Sequence, residues 1–306
     1  MKLYQRCLIG IILLSTIFSQ DLSISTLEEI IIRGNSSLKS SEKGIERKSA
    51  LLSQSRAFPN PEIEIETGLG NNSEKSGVLT QTIMISGKRK HNIRLHDLEL
   101  SVSKLEYESK KLTILNEGFS VFAEILLLQE SKILRQDRID ISEVLLEAVD
   151  KKVTAGKLSP AERSRARIQL FQEQSKLRKI NTSLSIAWKT ISVFWENENL
   201  KFDFANGNLT ELPQFSNKVN LTNSPELHKS ELMIEIQKTN FKLEKANAIP
   251  NIDFAAGIKN EFQRNSYSLG LSIPLPFFNR NKGNINNARI QQSQEQLHGI
   301  GCCLSR

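Results

Sequence analysis

The sequence predicts a mainly α-helical protein with two β-hairpins, arranged as two copies of one structural plan. Three observations lead to this fold class. Glycine and proline are sparse, with 15 and 8 among 306 residues, so the secondary-structure elements should be long. An apolar position recurs every seven residues through much of the first half of the chain, and residues 38–69 resemble residues 227–258 without a gap.

The N-terminus predicts an export signal at residues 1–20. Lys2 and Arg6 precede the apolar run CLIGIILLSTIF (7–18), which is too short to span a membrane as a helix. No later stretch approaches eighteen consecutive apolar residues, so we expect no transmembrane helix. The three cysteines lie at the two ends of the chain, which excludes a disulfide framework or thiolate metal site within residues 8–301.

The charge pattern and the histidines exclude several functional classes. The net charge is +7, but basic and acidic residues are mixed along the chain, so we expect solvated helix surfaces and no nucleic-acid partner. Of the four histidines, even His91 and His96 are five residues apart, a poor spacing for one metal site on a helix. No catalytic triad or phosphate loop is recognisable, so we expect no enzyme activity, catalytic residue, cofactor or metal site.

The repeated segment predicts a helix followed by a hairpin in each copy. Nine of its 32 positions are identical, among them Pro61 and Pro250, which follow the helix in each copy. The predicted helix of the second copy covers 225–248, and the hairpins cover 62–86 and 251–275. The identical pairs include apolar and turn positions, which favours a true structural repeat.

The first strand, EIEIETGL (62–69), alternates strictly between polar and apolar residues. Ile63 and Ile65 fall on one face, opposite three glutamates. The other predicted strands cover 78–86, 252–258 and 267–275. The length of each predicted strand is close to the ~9–11 residues of a tilted membrane strand. Four strands could close a barrel only together with strands from other subunits.

Between the hairpins the sequence predicts a long helix over 88–153, which would extend about 100 Å at ~1.5 Å per residue. A return helix over 160–196 and an irregular linker over 197–222 follow it. At the turn, Gly156 is a natural helix terminator and Ser159 begins a capping box with Glu162. One heptad position is apolar six times in succession and is expected in a supercoiled core: Leu98, Leu105, Leu112, Phe119, Leu126 and Ile133.

This order of elements resembles the outer membrane efflux protein (TolC) family. The stretches that carry the resemblance are AFPNPEIEIETG, ISGKRKHNIRLHDLEL, AGKLSPAERSRARIQL and the second copy of the repeat, and it covers about residues 25–290. The stretch LSIPLPFFNRNKGNINNAR (271–289) is most similar to the heavy-metal branch, whose members include CzcC-like and CusC-like channels. The first repeat would then occupy residues 21–222 and the second 223–306.

The resemblance implies a homotrimer whose twelve strands form a barrel in the outer membrane, with the long helices forming a coiled-coil tunnel in the periplasm. It also implies a periplasmic adaptor protein and an inner-membrane RND pump as partners, together with outer-membrane lipid. The implied adaptor-docking tip comprises Thr154, Ala155, Gly156, Lys157, Leu158 and Ser159. Any helical hairpin needs such a turn, so a purely structural role remains open. The implied lumen-facing residues are Glu62, Glu64, Glu66 and Asp253.

The second repeat departs from the family pattern. The long helix pair of the first copy should recur from about residue 277, but only a helix over 284–298 and an aberrant tail, HGIGCCLSR, are expected before residue 306. The sequence is therefore interpreted as a C-terminally truncated or frameshifted product. The functional hypothesis is a passive efflux channel of the outer membrane, with heavy-metal cations as the expected cargo. A truncated product would be non-functional. The alternative is a secreted or periplasmic coiled-coil structural protein without a pore.

Overall fold

The structure is a computed structural model of the chain that describes residues 21–68, 74–196, 200–208, 225–261 and 264–304, with side chains up to residue 298. Within these ranges the chain is mainly helical with one four-stranded sheet, which confirms the predicted fold class. The predicted export signal and most of the linker lie outside the described residues. The elements are α1 (Ile24–Gly34), α2 (Ser36–Ser55), β1 (Glu62–Thr67), β2 (Lys75–Ile83), α3 (Lys88–Thr154), α4 (Pro160–Ser192), α5 (Pro225–Asn247), β3 (Ile252–Glu261), β4 (Arg264–Ser272) and α6 (Lys282–Leu304).

The chain divides into two compact units. Unit 1 contains the chain up to Ser36 and residues 113–214, and unit 2 contains residues 37–112 and 215–306. Helix α3 contributes its first part to unit 2 and its remainder to unit 1. Unit 1 therefore carries the helical hairpin, and unit 2 carries the sheet.

In unit 1, the short helix α1 was not predicted as an element of its own. Ser23 caps its start, because the Ser23 hydroxyl accepts a hydrogen bond from the Thr26 amide at 3.2 Å. Leu27 and Ile31 are fully buried on one face of the helix. Just before the helix, Leu22 forms an isolated parallel bridge with Ala205, which fixes this end of the chain against the described part of the linker.

The heptad of α3 is buried only in part. Leu98 and Leu126 are buried in the single chain, whereas Leu112 and Ile133 are more than half exposed. The prediction that all six positions form a core is therefore wrong for the single chain. A straight α-helix has 3.6 residues per turn, so a strict seven-residue repeat drifts by ~20° per heptad and leaves one packed face.

One window of 18 residues within α3 is apolar enough, by length and composition alone, to resemble a membrane span. The sequence interpretation had found no such stretch. Packed helices of soluble domains meet the same criterion, and 28% of this window is buried within the chain.

In unit 2, ion pairs fasten α2 and α5 to the first part of α3. Lys48 lies 2.8 Å from Glu99 on α3, and Arg94 of α3 lies 2.5 Å from Glu235 on α5. Burial of the Glu99 carboxyl acts to raise its pKa, but hydrogen bonding and charge attraction from Lys48 outweigh this effect and hold the pKa below its ordinary value. These contacts position both repeats next to the sheet.

The offset of 189 residues between the two repeats holds at the start of the first helix and at the start of the second strand of each copy. Helices α2 and α5 begin at Ser36 and Pro225, and strands β2 and β4 begin at Lys75 and Arg264, each pair 189 residues apart. Helix α6 begins at Lys282, five residues later than this offset predicts, because the segment after β4 is longer than its counterpart after β2. Helix α6 also continues to Leu304, past residue 298, where the composition had predicted its end.

Candidate functional site: a two-faced sheet and a helical tip

The sheet places the hairpins of the two repeats side by side. The strand order is β1-β2-β3-β4 and every neighbouring pair is antiparallel. Strands β2 and β3 are far apart in sequence, and their pairing joins the repeats through nine residue pairs, from Lys75↔Asn260 to Ile83↔Ile252. Within the described strands, β1 and β4 are each paired along one edge only.

The cross-strand register assigns each residue to one of two faces, because directly opposed residues point to the same side. Glu62 opposes Thr80, and Thr82 opposes Asp253, so all four predicted lumen residues share one face. This polar face consists of Glu62, Glu64, Glu66, Ser76, Thr80, Thr82, Asp253, Lys259, Glu261, Arg264, Ser266, Ser268 and Ser272, with Val78 and a few small residues between them.

Hydrogen bonds across the strands connect members of the polar face. The Thr82 hydroxyl donates to Asp253 at 2.6 Å, and the Ser76 hydroxyl donates to Glu66 at 3.4 Å. The sequence alone did not predict these hydrogen-bond partners of the Asp253 and Glu66 carboxylates. No local pattern could reveal them, since the Thr82–Asp253 pair depends on the register between two distant hairpins.

The opposite face of the sheet is apolar and open to solvent in the single chain. Leu269, in the middle of the edge strand β4, is 90% exposed and has no cover within the chain. The members of this face include Ile63, Ile65, Leu79, Ile83, Ile252, Phe254, Ala256, Ile258, Tyr267, Leu269 and Leu271. An exposed apolar face of this size marks a surface that meets lipid or another chain.

The strand ends differ from the sequence prediction by a few residues. Strand β2 covers 75–83 where the sequence predicts 78–86, and β4 covers 264–272 where it predicts 267–275. In both hairpins the second strand therefore begins three residues earlier than predicted, because the cross-strand pairing continues to Lys75 and Arg264. Pro274 and Pro276 lie just after β4, in agreement with their predicted role in ending the strand.

At the junction between sheet and helices, two basic side chains of α3 are fixed by polar and aromatic contacts. The Lys88 ammonium donates to the Asn251 side chain at 2.6 Å, and burial lowers the pKa of Lys88. The Arg89 guanidinium lies 4.2 Å from the centre of the Phe58 ring and donates to the Arg56 carbonyl. These contacts fix the direction in which the long helix leaves the sheet.

In unit 1, the turn between α3 and α4 has the geometry of a Schellman motif. Gly156 has a φ of +71°, its amide donates to the Val153 carbonyl at 3.0 Å, and the Lys157 amide donates to the Lys152 carbonyl at 2.8 Å. The predicted helix terminator is thereby confirmed. All six residues of the predicted tip, Thr154–Ser159, are exposed; Thr154 ends α3 and the other five form a short loop.

The capping box predicted at the start of α4 is not formed. Ser159 is the N-cap residue and Pro160 occupies the first turn, but the Ser159 side chain makes no capping hydrogen bond. Glu162 pairs with Arg165 at 2.6 Å instead of reaching back to Ser159. An ion pair between Asp150 and Arg163 joins the two helices next to the tip.

Among the described residues, no cluster of three or more histidine, cysteine or acidic side chains has a geometry that could hold a metal ion. His96 lies 3.3 Å from Glu99, and His228 lies 3.6 Å from Glu231, each within one helix. These contacts are ordinary surface or half-buried pairs.

Comparison with known proteins identifies the family. The profile of the family described as outer membrane efflux protein matches residues 29–195, more than half of the chain. The chain belongs to the outer membrane efflux protein family. Members of this family are channels, so the assignment agrees with the predicted functional class.

One curated relative of this efflux protein is the cobalt-zinc-cadmium resistance protein CzcC of Cupriavidus metallidurans. It is 26% identical over 270 residues, which cover 86% of this chain and 65% of CzcC. The chain therefore spans less than two thirds of the length of that relative.

Solved structures share the fold. The chain matches CusC with a TM-score of 0.76 at 16% identity, covering 92% of this chain and 72% of CusC. It matches the outer membrane protein VceC of Vibrio cholerae with a TM-score of 0.73 at 14% identity, covering 92% of this chain and 75% of VceC. The sequence resemblance to this family is thereby confirmed at the level of the fold.

Proposed function

We propose that the chain is a subunit of an outer-membrane efflux channel in which three copies form a twelve-stranded barrel and a periplasmic helical tunnel. The observation that carries this proposal is the two-faced sheet with one unpaired edge on each side. Strand β4 of one copy can pair with β1 of the next, which would satisfy both edges and close the wall. The apolar face then meets lipid and the polar face meets water.

The channel performs no chemistry in this proposal and provides a sealed path. The energy comes from an inner-membrane pump of the RND class, and a periplasmic adaptor links the pump to the channel. The exposed tip, Thr154–Ser159, is the surface that engages the adaptor. Support comes from its position at the end of the long helix pair of unit 1 and from its ordered backbone geometry.

The proposed cargo is heavy-metal cations. Two observations support this choice: the likeness to CzcC, a protein of cobalt, zinc and cadmium resistance, and the row of three carboxylates along β1. Carboxylates lining a water-filled pore attract cations. A simpler account is that a lumen only needs to be polar, and the selectivity experiment below separates the two.

Membrane fractionation tests the channel itself. The full chain with its export signal is expressed in a Gram-negative host, and the outer-membrane fraction is examined by electrophoresis with and without boiling. We expect a heat-modifiable trimer in that fraction. A soluble monomer in the periplasm would refute the channel and support the alternative of a structural coiled-coil protein.

Ion selectivity tests the acidic row. The triple variant Glu62→Gln, Glu64→Gln, Glu66→Gln should lower the cation preference of pores reconstituted in planar bilayers, measured by reversal potential in a salt gradient. The charge-matched control replaces three exposed helical acids, Glu28, Glu29 and Glu42, with glutamine and should leave the preference unchanged. Equal selectivity in all three proteins would remove the electrostatic claim and leave the strand assignment intact.

A further inference from the structure

The segments that connect the sheet to its flanking helices are basic and contain no acid, while Glu62 and Asp253 lie on the polar face of the strands at the same end. Four connecting segments meet at the end where the helices begin, namely 56–61, 84–91, 248–251 and 273–282. They contain six lysine and arginine residues and neither aspartate nor glutamate. The six are Arg56, Lys88, Arg89, Lys90, Arg280 and Lys282.

The opposite end of the sheet has a balanced charge among its described residues. There, three acids and three bases flank the two hairpin turns: Glu66, Glu74, Glu261, Lys75, Lys259 and Arg264. Several of these neutralise each other, since Lys259 lies 3.0 Å from Glu74 and 3.4 Å from Glu261. Even with the strand residues Glu62 and Asp253 counted, the helix-side end has six bases against two acids, so the excess of positive charge belongs to that end.

Exposed phenylalanines accompany the basic residues at the same end. Phe58 is 74% exposed, Phe277 is 69% exposed and Phe278 is fully exposed. Phe58 precedes β1 and the other two follow β4, so both repeats contribute. Aromatic side chains at the edge of an apolar sheet face are typical of the boundary between hydrocarbon and lipid headgroups.

Some of these side chains are held in place before any ligand binds. Arg89 is stacked on Phe58 and bonded to the Arg56 carbonyl, while the Arg280 Nε donates to the Pro276 carbonyl at 3.3 Å. Guanidinium groups bind phosphate oxygens in two-point contacts, and fixing them beforehand reduces the entropy lost on binding.

We propose that these six basic residues and three phenylalanines form a basic–aromatic collar that binds the headgroups of anionic phospholipids. The collar lies in the leaflet through which the helices leave the membrane. The occupant is a lipid because the collar continues the edge of the exposed apolar face. It is an anionic lipid because the six positive charges outnumber the nearby acids, which are Glu62 and Asp253 on the polar face and Glu244 beside Asn281. This inference rests on the proposed function, since it requires the sheet to lie in a membrane.

Lipid binding by the purified full-length protein tests the collar. The protein in a neutral detergent is titrated with phosphatidylglycerol or phosphatidylcholine of the same acyl chains, and bound lipids are counted by native mass spectrometry. Each basic residue near an anionic lipid surface contributes about fivefold to affinity. Replacing the exposed residues Arg56, Lys90 and Lys282 with glutamine should therefore reduce the preference for phosphatidylglycerol by roughly 100-fold.

The matched control removes three positive charges from the other end of the sheet. The variant Lys75→Gln, Lys259→Gln, Arg264→Gln should keep the preference within about twofold of the unaltered protein, since Lys259 pairs with Glu74 and Glu261 and Arg264 opposes Glu261. If the collar triple variant does not assemble, the three single variants are used, and each should lose about fivefold.

The outcomes separate the collar from the channel. An unaltered protein that inserts into membranes but binds both lipids equally overturns the collar and leaves the proposed channel standing. Equal losses in the collar and control variants also overturn it, because total charge would then explain the binding. A protein that fails to enter membranes at all refutes the proposed function and the collar together.

Discussion

Gly34 and Gly156 are glycines for different physical reasons. A Cβ atom on Gly34 would lie 2.7 Å from the Trp195 carbonyl oxygen and 2.9 Å from the Trp195 Cα, both of which are backbone atoms that cannot move aside easily. A Cβ atom on Gly156 would meet nothing within 4 Å, but its φ of +71° disfavours any other residue. The first glycine permits close packing, and the second permits a turn.

We expect Gly34→Ala to destabilise unit 1 by about 1–3 kcal/mol through overpacking, and Gly156→Ala to cost about 1–2 kcal/mol through backbone strain. Gly44→Ala is the control, because its Cβ atom would meet only the Ser103 hydroxyl at 3.9 Å and the gain in helix propensity should be slightly stabilising. Thermal unfolding in detergent, followed by circular dichroism at 222 nm, measures all three. A Gly34→Ala protein as stable as the control would contradict the packing argument.

Glu173 couples α3 and α4 in a pH-dependent manner. Hydrogen bonds from Arg135 at 2.5 Å and from Lys176 at 2.9 Å hold its pKa below the ordinary value of 4.5. A carboxyl whose pKa is lower in the folded state stabilises the fold above its unfolded pKa, and this contribution is lost as the pH falls through the folded pKa.

Glu173→Gln should therefore lower the unfolding temperature at pH 7, where it also leaves the half-buried Arg135 side chain with a weaker partner. The difference from the unaltered protein should shrink as the pH falls below about 4. Glu147→Gln is a suitable control, since Glu147 and Lys151 form an exposed pair within one helix. A difference that is independent of pH would contradict the role of this carboxylate.

At the scale of elements, adjacent residues of β4 test which face of the sheet meets lipid. Leu269 lies on the apolar face and Ser268 on the polar face. In the proposed barrel, Leu269→Lys should reduce the yield of assembled trimer in the outer membrane, because a lysine at the bilayer midplane costs about 2–4 kcal/mol. Ser268→Lys adds the same charge to the polar face and should assemble normally. Electrophoresis without boiling measures the trimer yield of both variants. If Ser268→Lys lowers the yield and Leu269→Lys does not, the face that meets lipid is the polar one, contrary to the proposal.

The sequence predicts the order and type of these elements well, because each depends on local patterns. Alternation in residues 62–67 identifies β1, and the gap-free repeat identifies its partner hairpin. The ends of the elements and the pairing of the strands depend on contacts between distant segments, so local sequence patterns predict them less accurately. Strand β2 begins earlier because it pairs with β3, and the start of α6 is displaced because the segment after β4 is longer.

Part of the candidate site could also be predicted from local sequence patterns, and part of it could not. Strand alternation alone places Glu62, Glu64 and Glu66 on one face, and the glycine pattern alone identifies Gly156 as the turn. The Thr82–Asp253 hydrogen bond and the Arg89–Phe58 contact could not be predicted, since each joins residues that only the folded chain brings together. The failed capping box shows that a short motif can be present without the hydrogen bond it usually makes.

At the scale of the whole molecule, metal resistance of cells tests the cargo and the tip together. A deletion strain should be more sensitive to cobalt, zinc or cadmium, and the unaltered gene should restore resistance. Leu158→Asp, which places a charge on the exposed tip, should form trimers but fail to restore resistance, because the adaptor cannot dock.

Ile168→Asp is the control for that variant, since Ile168 is similarly exposed on α4 but lies outside the tip loop. If the Leu158→Asp protein restores metal resistance and the Ile168→Asp protein does not, the essential contact lies on the helices and not on the tip. A deletion strain with unchanged metal sensitivity would remove heavy metals as the cargo and leave the channel intact.

The concentration of carboxylates on β1 has a consequence for how ions would move. Alternate residues of a strand are about 7 Å apart, so Glu62, Glu64 and Glu66 form an evenly spaced row of carboxylates on one strand of each subunit. In a threefold ring these rows would be separated by strands β2 to β4, whose polar face carries acids and bases in equal number: Asp253, Glu261, Lys259 and Arg264. A cation would move along the carboxylate row of one subunit. In trimers that mix unaltered subunits with subunits whose three glutamates are replaced by glutamine, conductance would therefore decline stepwise with each replaced subunit.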